Sequence, residues 1–533
     1  MTDRPQSEAG ETAAEREAER QARAERARSR KRVQQLLRGS AQAHAAPQTA
    51  GGKRRAAERI ARRAVDRIVT DPEPTTQPIP LVARLKGTAY QAPVQPQAKN
   101  EDEARMILDF AVDTGRRLLR AGAGSKDVEI AVIAVCTALG LPNVEIDLTS
   151  GALTVHYADP EGRLLTVVRV TRDESLHYAK ISSLHALIAD IVDGKVDFDT
   201  ARSRLDAIRR QPRPYPEWFI TGAWAALVGA FTILVGGGPI SMTLGFIMAI
   251  VFDGVGKLLG RTGVPGFFIT AGQSLLATLV ATVAWNFGLV SSPQYLVAAG
   301  IVLLLPTQSL LAAVEDALTS FPLTAAGKFV GVFMTFAGIV SGIAAGLSLA
   351  AAMNLRDIDV LIDSSALTGL GTVLASLAAS GVVAAAGAVG MQASKRVILP
   401  AAAIGMVGFL CNWGLGGLGI PGVANSFISS LVVGVLAYPV AIWRRTASIV
   451  YLIPALYPLL AGLSIFSAAY NMVGSDSVTV ASGLSALFLA VATNAALAVG
   501  AVLGGFICAP LQSHLRKRIT EYRQQAAEPA TSA

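Results

Sequence analysis

From Trp218 to Cys508 the chain is apolar almost without a break, and this stretch divides into ten runs. They cover 218–235, 238–253, 264–288, 293–313, 327–351, 366–390, 397–415, 422–443, 447–470 and 478–508. Each is long enough to approach a hydrocarbon thickness of roughly 30 Å as a helix, the second being the shortest. A chain inside hydrocarbon must satisfy its backbone polar groups within itself, so these runs are expected to be helices. Only 16% of the 533 residues are charged. A soluble chain of this length exposes more charge than that, so residence in a bilayer is the first inference.

The charges that exist are unevenly placed, with most of them ahead of Tyr215. The formal net charge of +8 therefore describes a basic front attached to a membrane body. Beside a bilayer such a front is expected to meet anionic lipid, and no nucleic-acid partner is expected. A hydrophilic stretch of roughly 200 residues precedes the first apolar run, so no signal peptide is read and the front is expected to stay in the cytoplasm. With the front inside, the inner loops and tail hold Lys257, Arg261, Lys328, Lys395, Arg396, Arg444, Arg445, Arg516, Lys517 and Arg518. The outer loops hold one basic residue, Arg356, beside Asp357, Asp359 and Asp363. This bias fits ten spans in the plasma (inner) membrane with both termini cytoplasmic.

Residues 1–100 read as a disordered, basic and Pro-rich tail. Residues 101–214 read as a small cytoplasmic α+β domain. EARMILDFAVDTGRRLLRAGAG has a helical rhythm that stops at Gly122 and Gly124, and Ser125 is placed to cap the next helix, KDVEIAVIAVCTALGL. VEIDLT, ALTVHY and RLLTVVRV alternate as strands of an antiparallel sheet, with turns at Gly151 and Glu161–Gly162. Two further helices fit ESLHYAKISSLHALIADIVDG and DFDTARSRLDAIRRQ. Cys136, Cys411 and Cys508 lack metal-like spacing and read as reduced packing residues.

The membrane region repeats itself. GVPG at Gly263–Gly266 recurs as GIPG at Gly419–Gly422, an offset of 156 residues (419 − 263). An offset near 155 lays VLLLPTQSLLAAVEDAL (302–318) over YPLLAGLSIFSAAYNMV (457–473). Five spans fall in each half, 215–352 and 365–510, followed by a cytoplasmic tail, 511–533. Because five is odd, the second half is expected to be inverted. The fold class is therefore an α-helical polytopic membrane protein, ten transmembrane helices as an inverted 5+5 repeat with a small cytoplasmic α+β domain. Inverted repeats commonly build secondary transporters that bind substrate at mid-membrane.

The stretch LLRAGAGSKDVEIAVIAVCTALGLPNVEIDLTSGALTVHY, the VVRV strand, LIADIVDGKVDFDTARSRLDAI and the Tyr-Pro before span one resemble the threonine/serine exporter family, in its fused actinobacterial form. GKLLGRTGVPGFF, QSLLAAVEDALTSFPLTAAGKF and AGLSIF carry the resemblance into the membrane, and it runs from Glu101 to Arg518. It implies efflux of threonine, serine and other small neutral amino acids, as an antiporter driven by the proton-motive force, with no cofactor. The family's halves also occur as separate chains. One departure stands out: members often carry Pro-Gly and then Arg in span nine, where this chain has Ala461–Gly462 and Ser467.

Intramembrane carboxylates are costly and often functional. Glu315 and Asp316, at the inner end of span four, are candidates to carry the coupled proton or hold a substrate ammonium, with Asp253 at the inner end of span two behind them. The alternative for all three is a solvated helix end. Gln273, Ser274, Gln308, Ser309, Asn425, Ser426, Ser429, Ser430 and Asn494 are candidates to bind a hydroxy amino acid, and each also suits a bond to a neighbouring helix. Pro265, Pro306, Pro421, Pro454 and Pro458 are candidate helix breaks that free backbone groups.

AGAGSKD carries Gly-Ser-Lys where a phosphate loop needs Gly-Lys-Ser/Thr, and it follows a helix instead of a strand, so ATP drive is not expected. His156, His177 and His185 show no ligand-like cluster, and no catalytic or metal site is assigned. A membrane-anchored sensor or hydrolase is the alternative reading, and a homo-oligomer is left open.

Overall fold

The computed structural model describes residues 100–141, 144–149, 151–158, 163–171, 176–356, 369–473 and 477–527, without the side chains of 477–479 and 509–527. The expected tail over 1–99, the Glu161–Gly162 turn, and Asp357, Asp359 and Asp363 lie outside the described residues.

The front unit opens with α1 (Glu101–Ala121), whose first turn carries Glu101, Asp102 and Glu103 at the positive end of the helix dipole. Leu108, Val112 and Leu118 form its buried face, and Gly122, at φ 97°, closes it in the left-handed conformation. In α2 (Ser125–Ala138) Val128, Val132 and Val135 are fully buried. Strands β1 (Val144–Thr149), β2 (Ala152–Ala158) and β3 (Leu164–Val170) form an antiparallel sheet in the order β1-β2-β3. Ile146 faces Val155 across the first pair, and Val155 faces Val167 across the second. Helices α3 (Tyr178–Val192) and α4 (Phe198–Arg210) complete the unit.

Two local expectations change. Ser125 is the first residue of α2 instead of its cap, and Gly124 takes the cap position without a side-chain bond. The helix expected from Glu174 starts at Tyr178, because His177 caps it by accepting the Lys180 amide at Nδ1, 3.3 Å away.

The apolar region forms eight helices long enough to cross a membrane, and ten spans if each of two bent pairs is one span. In chain order they are α5 (Glu217–Leu234), α6 (Pro239–Arg261), α7 (Gly266–Asn286), α8 (Pro293–Val302) with α9 (Thr307–Leu318), and α10 (Pro322–Ala352). Then follow α11 (Leu370–Gly390), α12 (Lys395–Gly417), α13 (Gly422–Arg444), α14 (Ile449–Leu456) with α15 (Gly462–Met472), and α16 (Ser477–Ala527). The second span runs eight residues past its expected end at 253, to Arg261 (261 − 253 = 8). An Asp253–Lys257 ion pair one helical turn apart supports that extension.

Packing separates an outer shell from an inner one. Helix α6 leaves Ile240, Phe246, Ile247 and Val251 exposed, as a lipid-facing helix does. Every residue of α8 and of α14 is buried, so both bent pairs start inside the bundle. The same partnerships recur in the two halves. α5 packs on α6, α7 on α10 and α9 on α10; likewise α11 packs on α12, α13 on α16 and α15 on α16. Helices α5 and α11 pack on each other.

Small residues let the most intimate pairs approach, as is common where lipid gives no hydrophobic drive between helices. A side chain on Gly342 of α10 would collide with the Ala271 carbonyl of α7, and Gly504 of α16 meets Gly434 of α13 backbone to backbone. Gly342→Leu is expected to cost about 1–3 kcal/mol or more by overpacking. The measurement is thermal unfolding in detergent. Gly331→Leu, on the exposed side of the same helix where a Cβ meets nothing, is expected to unfold like the parent.

Candidate functional site

Two places in the bundle depart from regular helix, and they resemble each other. Proline lacks a donor and clashes with the preceding turn, so Pro306 ends the run of α8 and sits at the cap of α9 with φ −80°, ψ 52°. The chain bends by 53° there. In the second half, Pro458 lies in a 3-10 turn (Tyr457–Leu459) and Ala461 caps α15 with φ −88°, ψ 53°. That bend is 52°. The Ala461–Gly462 departure thus leaves span nine broken, with Pro458 and Gly462 flanking the gap. Pro454 lies within α14, and Pro265 and Pro421 cap α7 and α13 with the same angles, φ −55° and ψ 145°.

A small cavity lies where the breaks come together. Leu305, Leu310 and Leu311 wall it from the first break, Leu456 and Leu460 from the second, and Leu497 and Ala498 from α16. Its polar residues are Thr307 and Asn494. Asn494 donates Nδ2 to the Ala490 carbonyl at 2.9 Å. The buried Oγ1 of Thr307 has no hydrogen-bond partner. Thr307 is absent from the residues expected above, which include the Gln308 and Ser309 that follow it; its one signal in the sequence is its place directly behind Pro306.

A second cluster lies at the far end of α9. Asp316 is fully buried. Its Oδ2 accepts from Lys328 Nζ at 2.7 Å and from Ser125 Oγ at 3.0 Å, and its Oδ1 has no partner. A solvated helix end is therefore excluded for Asp316. Lys328 comes from α10 and Ser125 from the front domain, so one carboxylate joins two spans and the domain. Glu315 lies against Gly124, where an added Cβ would stand 3.1 Å from Oε2. Gln308 donates Nε2 to the Gly122 carbonyl at 3.3 Å, while its buried Oε1 has no partner. Gly122–Ser125 is thus a docking loop laid along α9.

Further contacts hold the domain on the same ends of the spans. Thr324 Oγ1 donates to the Leu148 carbonyl at 3.1 Å, and the Tyr178 and Ala179 amides donate to the carbonyls of Met391 and Gln392. Ser182 pairs with Thr446 at 2.8 Å, and Lys126 lies over the Phe506 ring at 4.7 Å.

Most of the other expected residues make contacts within or between helices away from both clusters. Asp253 accepts from Thr221 and Lys257. Gln273 donates to the Phe252 carbonyl, tying α7 to α6. Ser274 and Ser430 bond carbonyls of their own helices. Asn425 donates to the Asn412 carbonyl and accepts from Ser429, Ser426 is buried beside them, and Ser309 is exposed.

In the front domain burial sets the protonation states. It raises the Cys136 thiol to about 12, which leaves it an inert filler. Burial, with Lys180 nearby, lowers His177 to about 4, and burial lowers His185 as well. No group of three or more His, Cys, Asp or Glu suited to a metal occurs among the described residues. A histidine whose folded pKa is depressed stabilises the fold fully above its free value near 6.5, and that contribution is lost as pH falls toward the folded value. The melting temperature of the full chain in detergent is expected to fall between pH 6.5 and about 4. His177→Asn, which keeps a capping acceptor but cannot titrate, is expected to flatten part of that slope.

Eight apolar helices long enough to cross a membrane, with two bent pairs that meet around a small cavity, fit a multi-pass membrane transporter. Family models for threonine/serine exporters match residues 109–350 and 376–507. A "Probable threonine/serine exporter" of Mycobacterium tuberculosis is 30% identical over 415 residues, covering 76% of this chain and 77% of the relative. The "Threonine/serine exporter" of Corynebacterium glutamicum is 27% identical, covering 81% and 89%. A "Probable succinate transporter subunit" of Klebsiella aerogenes is 24% identical over 41% of this chain and 83% of its own length. No solved structure matches the chain. The chain belongs to the threonine/serine exporter family, and it is a transporter, not an enzyme. The sensor or hydrolase alternative falls with that assignment.

Proposed function

We propose that the protein exports threonine and serine, with other small neutral amino acids, in exchange for protons entering down the proton-motive force. The observation that carries this reading is the buried Asp316, joined to Lys328 and Ser125 at the end of a broken span. Burying one carboxylate and one ammonium costs several kcal/mol per ion unless they pair well, so such a pair responds strongly to protonation. Protonating Asp316 would strand the Lys328 charge and weaken the hold on Ser125. That links proton uptake to release of the docking loop, with Glu315 beside the same loop as the second carboxylate. The front domain then works as an inner gate.

The architecture proposed for this cycle is an inverted repeat of residues 215–352 and 365–510, with domain 101–214 and both termini cytoplasmic. Three features support it. The caps of α7 and α13 share their dihedral angles, and Gly263 and Gly419 precede them at φ 74° and 76°. The two bends agree within a degree. The helix partnerships of one half recur in the other. The half-length relative from Klebsiella fits a unit that also exists as a separate chain.

Cells preloaded with a threonine dipeptide test the proposal. Overexpression is expected to lower intracellular threonine and serine, with succinate followed in parallel because a relative bears that name; unchanged threonine and serine would sink the exporter reading. Asp316→Asn is expected to reach the membrane in normal amount but to lose the pH dependence of efflux. Coupling that survives intact in that variant removes Asp316 as the proton site.

A further inference from the structure

The cavity between the two breaks is walled by leucines, yet it holds two polar groups with unused capacity. Thr307 Oγ1 is buried with neither its donor nor its acceptor role filled. A buried hydroxyl left this way costs free energy, so it is a poor choice for packing alone. Valine would fill the same volume without that cost. Asn494, 4% exposed, commits Nδ2 to the Ala490 carbonyl, which leaves Oδ1 as its remaining acceptor. Across one small space the chain thus offers a hydroxyl that donates and accepts, and an amide oxygen that accepts.

The size of the space narrows what these groups meet. It accommodates about one water-sized group, far less than a whole amino acid. A side-chain hydroxyl fits that size, and it both donates and accepts. It can donate to Asn494 Oδ1 while accepting from Thr307 Oγ–H. Leu305 and Leu460, from opposite breaks, complete its apolar wall.

On this basis we propose that Thr307 and Asn494 form the subsite that reads the side-chain hydroxyl of the substrate, and so set the preference for threonine over valine and for serine over alanine. The inference rests on the exporter reading above and adds to it the residues that select. Sites that bond a substrate hydroxyl discriminate against analogues that lack it, because their own polar groups are then left unpaired.

The test is transport by the full chain in proteoliposomes, normalised to reconstituted protein, with threonine and valine, and serine and alanine, measured side by side. The parent is expected to prefer the hydroxylated member of each pair. Thr307→Val keeps the shape and loses the hydroxyl, and is expected to narrow the threonine-to-valine ratio about tenfold, the worth of one hydrogen bond. Thr307→Ser is expected to keep the parent ratio. Thr307→Ala, a second route to losing the hydroxyl, is expected to match Thr307→Val if the valine packs badly. Parent-like ratios in both Thr307→Val and Thr307→Ala would overturn the subsite while leaving the exporter reading intact. A parent that moves neither threonine nor serine would overturn both, and that result is visible before any variant is compared.

Discussion

Hydrocarbon offers no hydrogen-bond partners, so a chain inside it can leave the helix only where other protein or a cavity receives the freed backbone groups. The architecture follows that constraint. The unbroken spans carry the lipid-facing surface, as α6 does with its exposed Ile247 and Val251. The interrupted spans begin in α8 and α14, whose residues are all buried. Glycines then bring α7 against α10 and α13 against α16, and this close packing frames the interior in which the breaks sit. The exposed shell makes the irregular centre tolerable.

Much of this was legible in the sequence because hydrophobic length is a strong signal. The span limits agree with the helices to within a few residues over most of the bundle, and the three strands fall where alternation put them. Prolines were less legible. Pro306 and Pro458 stand at bends, whereas Pro454 remains inside a helix and Pro265 and Pro421 serve as caps. A proline forbids one hydrogen bond, but whether the chain bends there depends on what neighbouring helices offer, and that is not local information.

Individual polar residues were the least legible. Gln273, Asn425 and Ser430 have the composition of a site but are used to join or brace helices. Asn494 also bonds a carbonyl of its own helix and differs from them in lining the cavity between the breaks. Ser125 differs from its expected role for a related reason: near a helix start a serine reads as a cap, while here its hydroxyl goes to a carboxylate 191 residues away. The surrounding Gly-rich segment looks superficially like a phosphate loop. Its small residues serve another purpose, letting the backbone lie close to Gln308 and Glu315.

The bond between Ser125 and Asp316 has a thermodynamic corollary. Two sites joined through one carboxylate share a coupling free energy, and such coupling is reciprocal. Whatever steadies the front domain against the bundle biases the broken span, and whatever rearranges the broken span alters how firmly the domain is held. If the domain acts as the proposed inner gate, a ligand that meets only the domain would tune movement across the membrane without entering the path. The cargo would then report its own presence to the aqueous side through the grip on one serine.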